Sequence, residues 1–207
     1  METERELLKK GLTELGLTAS EDTLVLFLRY LFELKKWNRA YNLTALKKDN
    51  DIIIKHFLDS LLFLKIFPQS TGNVCDVGSG AGFPGIPIGI VRPDLSIALI
   101  EPSRKKCAFL RNIKKVLALN NIRVLESRIE DVQDMDFNIA VTRALFSINE
   151  FVEKTGHVVN KNGCLIMSKG PKFADELKKM PASAHFEHIT AILPLTSLQR
   201  HLIRITF

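Results

Sequence analysis

The chain of 207 residues has little of what marks secreted, metal-binding or membrane-spanning proteins. Its three cysteines, Cys75, Cys107 and Cys164, are odd in number and widely spaced, which fits neither a disulfide framework nor a CxxC zinc pattern. Its apolar runs are too short to span a bilayer, and its charged start, METERELLKK, has no apolar stretch typical of a signal peptide. We therefore expect a cytoplasmic protein that has no metal and no membrane partner.

Size and composition are those of a globular protein. A length of 207 residues allows one full domain and a small additional unit. The hydrophobic share of 46% and the charged share of 25% exclude a disordered or fibrous chain. A net charge of +6 permits an anionic partner such as nucleic acid, without requiring one.

The Pro/Ser/Gly/Asn cluster at residues 68–73 separates two kinds of pattern. Before it, apolar residues recur every three or four positions and predict helices at 4–15, 23–37 and 51–67. We therefore predict an N-terminal helical unit over residues 1–70 and a second domain over residues 71–207. Within the helical unit, Trp37 and Tyr41 are expected to pack into the core, and His56 is expected to be structural.

After residue 73, short apolar runs alternate with amphipathic segments. Strands are predicted at 74–77, 97–100, 122–125, 137–141, 164–167, 186–193 and 200–207, and helices at 104–119, 146–159 and 173–180. This alternation predicts an α/β fold with a Rossmann-like, doubly wound, seven-stranded sheet that is mostly parallel. The last two strands have no helix between them, which predicts an antiparallel hairpin at the sheet edge.

The segment DVGSGAGFPG at residues 76–85 leads from the first strand into a glycine-rich turn. Glycines let a ligand approach the backbone closely, so Gly78 and Gly80 are candidate cofactor residues. The GxGxG spacing places Phe83 where dinucleotide enzymes have their third glycine, and the absence of GK[ST] excludes a P-loop. Asp76 lies at the strand end, where it can face a cationic ligand. The alternative is a tight turn that binds nothing.

Polar residues also follow the second and third strands. Glu101 ends the second strand, where an acid of a doubly wound fold hydrogen-bonds ribose hydroxyls. The segment Ser127–Asp131 follows the third strand, where an adenine ring would lie. A solvated strand end and a polar loop are the respective alternatives.

Cations cluster at the same edge of the predicted sheet. Arg143 and Lys169 follow the fourth and fifth strands, where they suit an RNA phosphate unless they are surface ion-pair partners. The helix after Glu101 carries Arg104, Lys105, Lys106, Arg111, Lys114 and Lys115. Such a run contacts phosphates or forms a solvated helix face.

Taken together, these motifs resemble a known family. The glycine-rich loop and Glu101 resemble class I S-adenosylmethionine-dependent methyltransferases. The segments KWNRAYNLTA, HFLDSL, DVGSGAGFPGIPIGIVRP, RKKCAFLRN, ESRIED, VTRALFS, SKG and QRHLIRI are similar to the bacterial methyltransferase G family, also called the glucose-inhibited division protein B family. This similarity covers nearly the whole chain.

The resemblance implies methyl transfer from S-adenosyl-L-methionine to N7 of one guanosine in 16S rRNA, alone or in the small ribosomal subunit. It implies cofactor contacts by Gly78, Phe83, Glu101, Pro102, Ser103, Ile129, Glu130 and Arg143. It also implies that Arg200 faces RNA. We expect a monomer, because no long exposed heptad suggests a dimer.

Absent motifs narrow the chemistry. The chain has no NPPY-type segment and no Pro-Cys pair after the fourth strand, which disfavours methylation of exocyclic amines and of cytosine C5. Guanine N7 has a free lone pair and no proton to lose, so in-line attack needs no general base. Arg143 and Lys169 would then position the substrate. The competing interpretations are a methyltransferase for a small molecule or protein, a non-catalytic RNA-binding factor and, more remotely, an NAD-binding protein.

Overall fold

The protein begins with two helices that pack against each other. The computed structural model describes residues 2–69, 72–133, 135–143, 145–170, 173–177 and 185–206. Helix α1 spans Glu2–Glu14 and helix α2 spans Glu21–Tyr41. Ser20 caps α2, because its Oγ accepts a hydrogen bond from Thr23 N at 3.2 Å.

Helix α2 is longer than its sequence pattern predicts. It continues past Trp37 to Tyr41 and ends at Asn42, whose φ of 49° is left-handed. Asparagine tolerates this conformation and closes helices well. Trp37 and Tyr41 stack with ring centroids 5.3 Å apart. Tyr41 is 45% exposed, which corrects the expectation that it packs into the core.

A third helical region covers the predicted segment 51–67, but it is not one regular α-helix. Helix α3 (Asp49–Ile52) runs into a π-helical turn over Ile53–Leu58, then into helix α4 (Asp59–Leu61) and a 3₁₀ turn over Leu62–Ile66. π-Helical turns are rare in proteins, and many of those that occur lie at functional sites.

A seven-stranded sheet follows. Its strands are β1 (Asn73–Val77), β2 (Ser96–Ile100), β3 (Ile122–Leu125), β4 (Phe137–Arg143), β5 (Val159–Lys169), β6 (His185–Ile192) and β7 (Gln199–Thr206). Helices between them are α5 (Gly85–Val91), α6 (Arg104–Val116), α7 (Ile148–Thr155) and α8 (Phe173–Leu177). The order is β3-β2-β1-β4-β5-β7-β6, with β1 to β5 parallel and β7 antiparallel to both neighbours. This topology confirms the predicted fold class.

Several predicted bounds after β2 are wrong, including the end of β4, which lies at Arg143 rather than at residue 141, and the end of α7, which lies at Thr155 rather than at residue 159. Helix α6 ends at Val116 rather than at residue 119, and Ala118 has a left-handed φ of 51°. Helix α7 starts only after Ser147, which forms a capping box with Glu150. Strand β5 starts at Val159, five residues before the predicted strand at 164, because Val159 pairs with Phe137 of β4. Residues 178–180 of the last predicted helix and Ala144 lie outside the described residues.

The hydrophobic core is continuous between the N-terminal helices and the sheet. One buried cluster joins Phe27 of α2 and Phe57 of the π-helical turn to Ile97 of β2 and Ile139 of β4. The predicted boundary at residue 70 therefore divides the sequence pattern and not the core. No helix in the described part of the chain is long and apolar enough to cross a membrane.

Candidate active site

The carboxyl ends of β1, β2 and β4 meet at one edge of the sheet. From β1, the chain proceeds to β2 on one side and later to β4 on the other. Such a reversal of strand order opens a crevice that binds ligands in doubly wound folds. The glycine-rich turn and Glu101 both lie at this edge.

The backbone of the turn is held against β2. Gly78 N and Ser79 N both donate to Ile100 O, at 2.8 and 3.2 Å. Gly78 has a φ of +71°, and a Cβ at this position would overlap Leu145 Cδ2. A side chain at residue 78 would therefore be strained by the backbone conformation and would require the exposed Leu145 side chain to move.

Two carboxylates, those of Asp76 and Glu101, accept hydrogen bonds from backbone N–H groups of the segment that contains the turn. Asp76 is fully buried, and its Oδ2 accepts from Gly85 N at 2.9 Å. Its Oδ1 has no hydrogen-bond partner among the described residues. Burial raises the pKa of Asp76 to about 7. Glu101 accepts from Gly80 N at 2.9 Å and from Ser103 N at 3.0 Å.

A cleft of about 290 Å³ opens above the turn. It is lined by Val77, Gly78, Ile100, Pro102, Ser127, Arg128, Ile129, Glu130, Leu145 and Phe146. The structure thus brings together four of the predicted cofactor residues, Gly78, Pro102, Ile129 and Glu130. The Glu130 carboxylate pairs with Lys154, and this bond lowers the pKa of Glu130.

Sequence reasoning missed Leu145 and Phe146 as cleft residues. They directly follow β4, inside the quoted segment VTRALFS, so their position at the carboxyl edge was a usable signal. Leu145 is 52% exposed beside the cleft, so its side chain is accessible to a ligand bound there.

Phe83 and Arg143 lie beside the turn, on the side of the N-terminal helices. Phe83 is only 6% exposed, and the His56 ring stacks on it at 4.5 Å. The guanidinium carbon of Arg143 is 5.1 Å from the Phe83 ring centroid. Neither side chain lines the 290 Å³ cleft, so their predicted cofactor contacts stay predictions.

Arg143 is the centre of a buried polar network. Its Nη1 donates to Lys55 O at 3.0 Å and lies 3.5 Å from Asp59 Oδ2. Its Nη2 donates to His56 Nδ1 at 2.8 Å. On the other side, Arg200 Nε pairs with Asp59 Oδ1 at 2.7 Å. Arg200, expected to face RNA, thus has a partner inside the protein.

The network also determines the state of His56. Arginine can only donate, so His56 Nδ1 accepts and Nε2 carries the hydrogen that bonds Thr44 Oγ1 at 2.6 Å. Burial lowers the pKa of His56 to about 3, and the neighbouring Arg143 charge acts in the same direction. His56 is therefore neutral near pH 7, with both ring nitrogens engaged.

Lys169 is also held by the protein. Its Nζ pairs with Glu176 at 2.8 Å and donates to Phe146 O at 3.0 Å. Phe146 lines the cleft, so the hydrogen bond from Lys169 helps to hold a cleft residue in position. A direct contact between Lys169 and a substrate stays a prediction.

The cations of α6 differ in their surroundings. Arg111 pairs with Glu126 at 2.8 Å, and Lys106 Nζ lies 3.9 Å from Glu101 Oε1. Arg104 and Lys105 are exposed at the start of the helix and form no ion pair within the described ranges. Lys114 and Lys115, in the last turn, also form no ion pair with a described residue, so Arg104 and Lys105 are the available cations at the end of α6 that begins beside Glu101.

Tyr30 is a third site residue that sequence reasoning missed, after Leu145 and Phe146. It is fully buried on α2, and its hydroxyl donates to Ala81 O inside the glycine-rich turn. Its ring lies 5.5 Å from that of Phe83. Its spacing of three residues from Phe27 placed it on the buried stripe of α2, which was the available signal.

Comparison with known proteins matches the chain to one protein family. The family model described as rRNA small subunit methyltransferase G matches residues 24–203. The chain is 36% identical over 200 residues to "Ribosomal RNA small subunit methyltransferase G" of Neisseria meningitidis, covering 96% of both chains. It is 38% identical over 203 residues to the protein of the same name from Nitrosococcus oceani, covering 96% of this chain and 93% of the other.

Solved structures show the same fold. The crystal structure of a SAM dependent methyltransferase from Aquifex aeolicus aligns with a TM-score of 0.54 at 16% identity. The alignment covers 75% of this chain and 92% of that one.

Proposed function

The chain belongs to the family of rRNA small subunit methyltransferase G, and on that premise we propose that it methylates N7 of one guanosine in 16S rRNA. Members of this family are S-adenosyl-L-methionine-dependent methyltransferases. The observation that carries the proposal is the cleft above the glycine-rich turn, at the strand-order reversal of the sheet.

The residues at the turn fit this cofactor. The cleft beside Gly78 has apolar lining from Ile129 and Leu145 among others, which suits an adenine ring. Glu101 has lone pairs left to accept from ribose hydroxyls, beyond its two backbone bonds. The unpartnered Oδ1 of Asp76 suits the cationic amino acid end, directly or through a water. When bound, the cofactor supplies an electrophilic methyl group.

The surroundings support a reaction without a general base. Guanine N7 carries a lone pair in the ring plane and no proton. Both ring nitrogens of His56 are occupied, and Asp76 is enclosed under the turn, so neither is placed to take a proton from an incoming base. Catalysis then rests on positioning, which contributes roughly 7 to 11 kcal/mol in favourable cases.

Arg143 and Lys169 are the proposed positioning residues. No described group accepts a bond from Arg143 Nε, so this N–H is available for guanine O6 or an RNA phosphate. Lys169 holds Phe146 at the cleft and adds positive charge there.

The wider RNA contact is proposed for the cations of α6, Arg104, Lys105, Lys106 and Arg111, and for Arg200. Exposed Arg104 and Lys105 follow the cleft residue Pro102 closely in the chain and suit RNA phosphates. Arg200 would act from its ion pair with Asp59. The protein is proposed to act as a monomer in the cytoplasm.

The test is methyl transfer from labelled S-adenosyl-L-methionine to small-subunit RNA that lacks its native modifications. Cleavage at 7-methylguanosine maps the product. We expect label at a single guanosine. Absence of label on RNA and on assembled subunits, despite cofactor binding, would move the assignment to a small-molecule or protein methyltransferase.

The role of Arg143 is tested by Arg143→Ala. We expect strongly reduced turnover, because both the substrate contact and the network around Phe83 are lost. Full turnover together with full cofactor affinity would show that Arg143 positions nothing.

A further inference from the structure

A second cavity lies at the C-terminal end of α2, apart from the residues of the cleft. It encloses about 690 Å³, a volume typical of ligand sites. Its polar lining comes from the last turns of α2 and the following loop, namely Lys35, Asn38, Arg39, Asn42, Thr44 and Lys47. The family-matched methyl transfer leaves this cavity without a role.

The loop wall of the cavity is rigidly built. Asn38 clamps the loop with both ends of its amide, donating to Thr44 O at 3.0 Å and accepting from Thr44 N at 2.8 Å. Asn42 closes α2, and its backbone N–H donates to Asn38 O at 3.1 Å. The cavity is therefore preformed, which lowers the entropic cost of binding.

The charge of the cavity selects an anion. No carboxylate lines it among the described residues, although Lys35 pairs with Asp49 at 2.6 Å. Arg39 and Lys47 are exposed and form no ion pair with any described residue. Unpaired cations in a preformed polar cavity suit phosphate oxygens, which accept charge-assisted hydrogen bonds.

The cavity is physically linked to the cleft edge. Thr44 in its wall bonds His56 Nε2 at 2.6 Å, and His56 Nδ1 bonds Arg143 Nη2 at 2.8 Å. Arg143 ends β4, at the edge where the cleft opens. Next to the cavity, the exposed Tyr41 ring offers a stacking surface of the kind that single-stranded RNA bases use.

We propose that this cavity binds phosphodiester groups of the RNA beside the methylated nucleotide, through Arg39 and Lys47. The N-terminal helices then form part of the RNA-binding surface as well as of the core. This inference rests on the proposed function, since it requires RNA as the substrate.

The experiment compares Arg39→Gln/Lys47→Gln with a matched control, Lys65→Gln/Lys161→Gln. The control removes the same charge from exposed positions towards the opposite edge of the sheet, before β1 and early in β5. The affinity of each protein for unmodified small-subunit RNA is measured at several salt concentrations. Methyl-transfer KM and kcat are measured in parallel, and cofactor affinity shows that each variant is folded.

For Arg39→Gln/Lys47→Gln we expect RNA affinity to fall about tenfold and the slope of log affinity against log salt to shrink by about 1.4 to 1.8. The KM for RNA rises to match, while cofactor affinity is retained. The control keeps the wild-type values to within about twofold.

Equal RNA affinity and equal salt slopes in variant and control would overturn the inference. A defect on assembled subunits with none on RNA alone would overturn it too, and would assign the cavity to a ribosomal protein. The RNA-binding readout does not depend on methyl transfer. If wild-type protein binds RNA without labelling it, the proposed function fails while the cavity is still tested.

Discussion

At the scale of single residues, the site depends on what glycine allows at position 78. Two effects disfavour a side chain there: the φ of +71° strains the backbone, and a Cβ would displace the Leu145 side chain, which lines the cleft. A comparison with Gly16 distinguishes the two effects. Gly16 has nearly the same φ of +72°, but a Cβ added there would have no neighbouring atom within 4 Å.

We therefore predict that Gly78→Ala weakens cofactor binding roughly 5- to 160-fold, because the added methyl group displaces the cleft residue Leu145 and such crowding costs about 1–3 kcal/mol. Gly16→Ala should leave cofactor affinity unchanged and lower stability by about 1–2 kcal/mol. Calorimetric titration with S-adenosyl-L-methionine and thermal unfolding measure the two effects. Equal cofactor affinity in the two variants would show that the position of the Leu145 side chain does not affect cofactor binding.

His56 couples the polar network to pH. Its folded pKa is about 3 against an ordinary value of 6.5. Below pH 6.5, His56 binds a proton in the unfolded chain but stays neutral in the folded protein. The contribution of His56 to the free energy of unfolding therefore falls as pH falls. Asp76, with its raised pKa of about 7, acts in the opposite direction over part of this range.

The variant His56→Gln isolates the effect, because glutamine can both accept from Arg143 and donate to Thr44. We predict that wild type loses stability relative to this variant as pH falls below 6.5, by about 1.4 kcal/mol for each pH unit between 5.5 and 4. Urea unfolding of both proteins at several pH values measures the difference, in which Asp76 cancels. A pH-independent difference would mean that His56 is charged in the folded protein.

At the scale of elements, helix α2 holds the glycine-rich turn in place. The Tyr30 hydroxyl reaches from α2 to Ala81 O, across the predicted domain boundary. The turn itself is attached to β2 through Ile100 O. A cofactor site on β1 is therefore supported from both sides.

We predict that Tyr30→Phe lowers stability by about 1–3 kcal/mol, the cost of an unpaired buried carbonyl, and also weakens cofactor binding. Tyr41→Phe is the control, because Tyr41 is exposed on the same helix. Both quantities follow from thermal unfolding with and without S-adenosyl-L-methionine. Lower stability with unchanged cofactor affinity would make Tyr30 a packing residue only.

At the scale of the whole molecule, the continuous core argues that residues 1–70 and 71–207 unfold together. The chain has a single tryptophan, Trp37, on α2, and its ring lies 5.7 Å from that of Phe109 on α6. Its fluorescence therefore reports on the N-terminal helices and on their contact with the second predicted domain. Far-ultraviolet circular dichroism reports on the entire chain.

We predict coincident urea transitions by tryptophan fluorescence and by circular dichroism, as expected for one cooperative unit. S-adenosyl-L-methionine at 100 times its Kd should shift both by about 2.7 kcal/mol. A fluorescence transition at lower urea that ignores the cofactor would instead show an independent N-terminal domain.

The sequence by itself determined the sheet, the glycine-rich turn and the family. Alternating short apolar runs and amphipathic helices specify local structure, because each period is readable within a few residues. The rule that strand ends meet at one edge placed Gly78 and the segment with Ile129 and Glu130 near one site, and the family resemblance added Pro102.

Only the tertiary structure decided the partners of the charged residues. Arg143, Asp59 and Arg200 come from three distant parts of the chain, and no local pattern shows that they form one network. The same holds for Tyr30 at the glycine-rich turn and for Arg39 and Lys47 at one cavity. The sequence shows that a residue is charged, but it does not show whether the side chain faces solvent, RNA or a buried partner. Packing between distant parts of the chain determines which of these the side chain contacts.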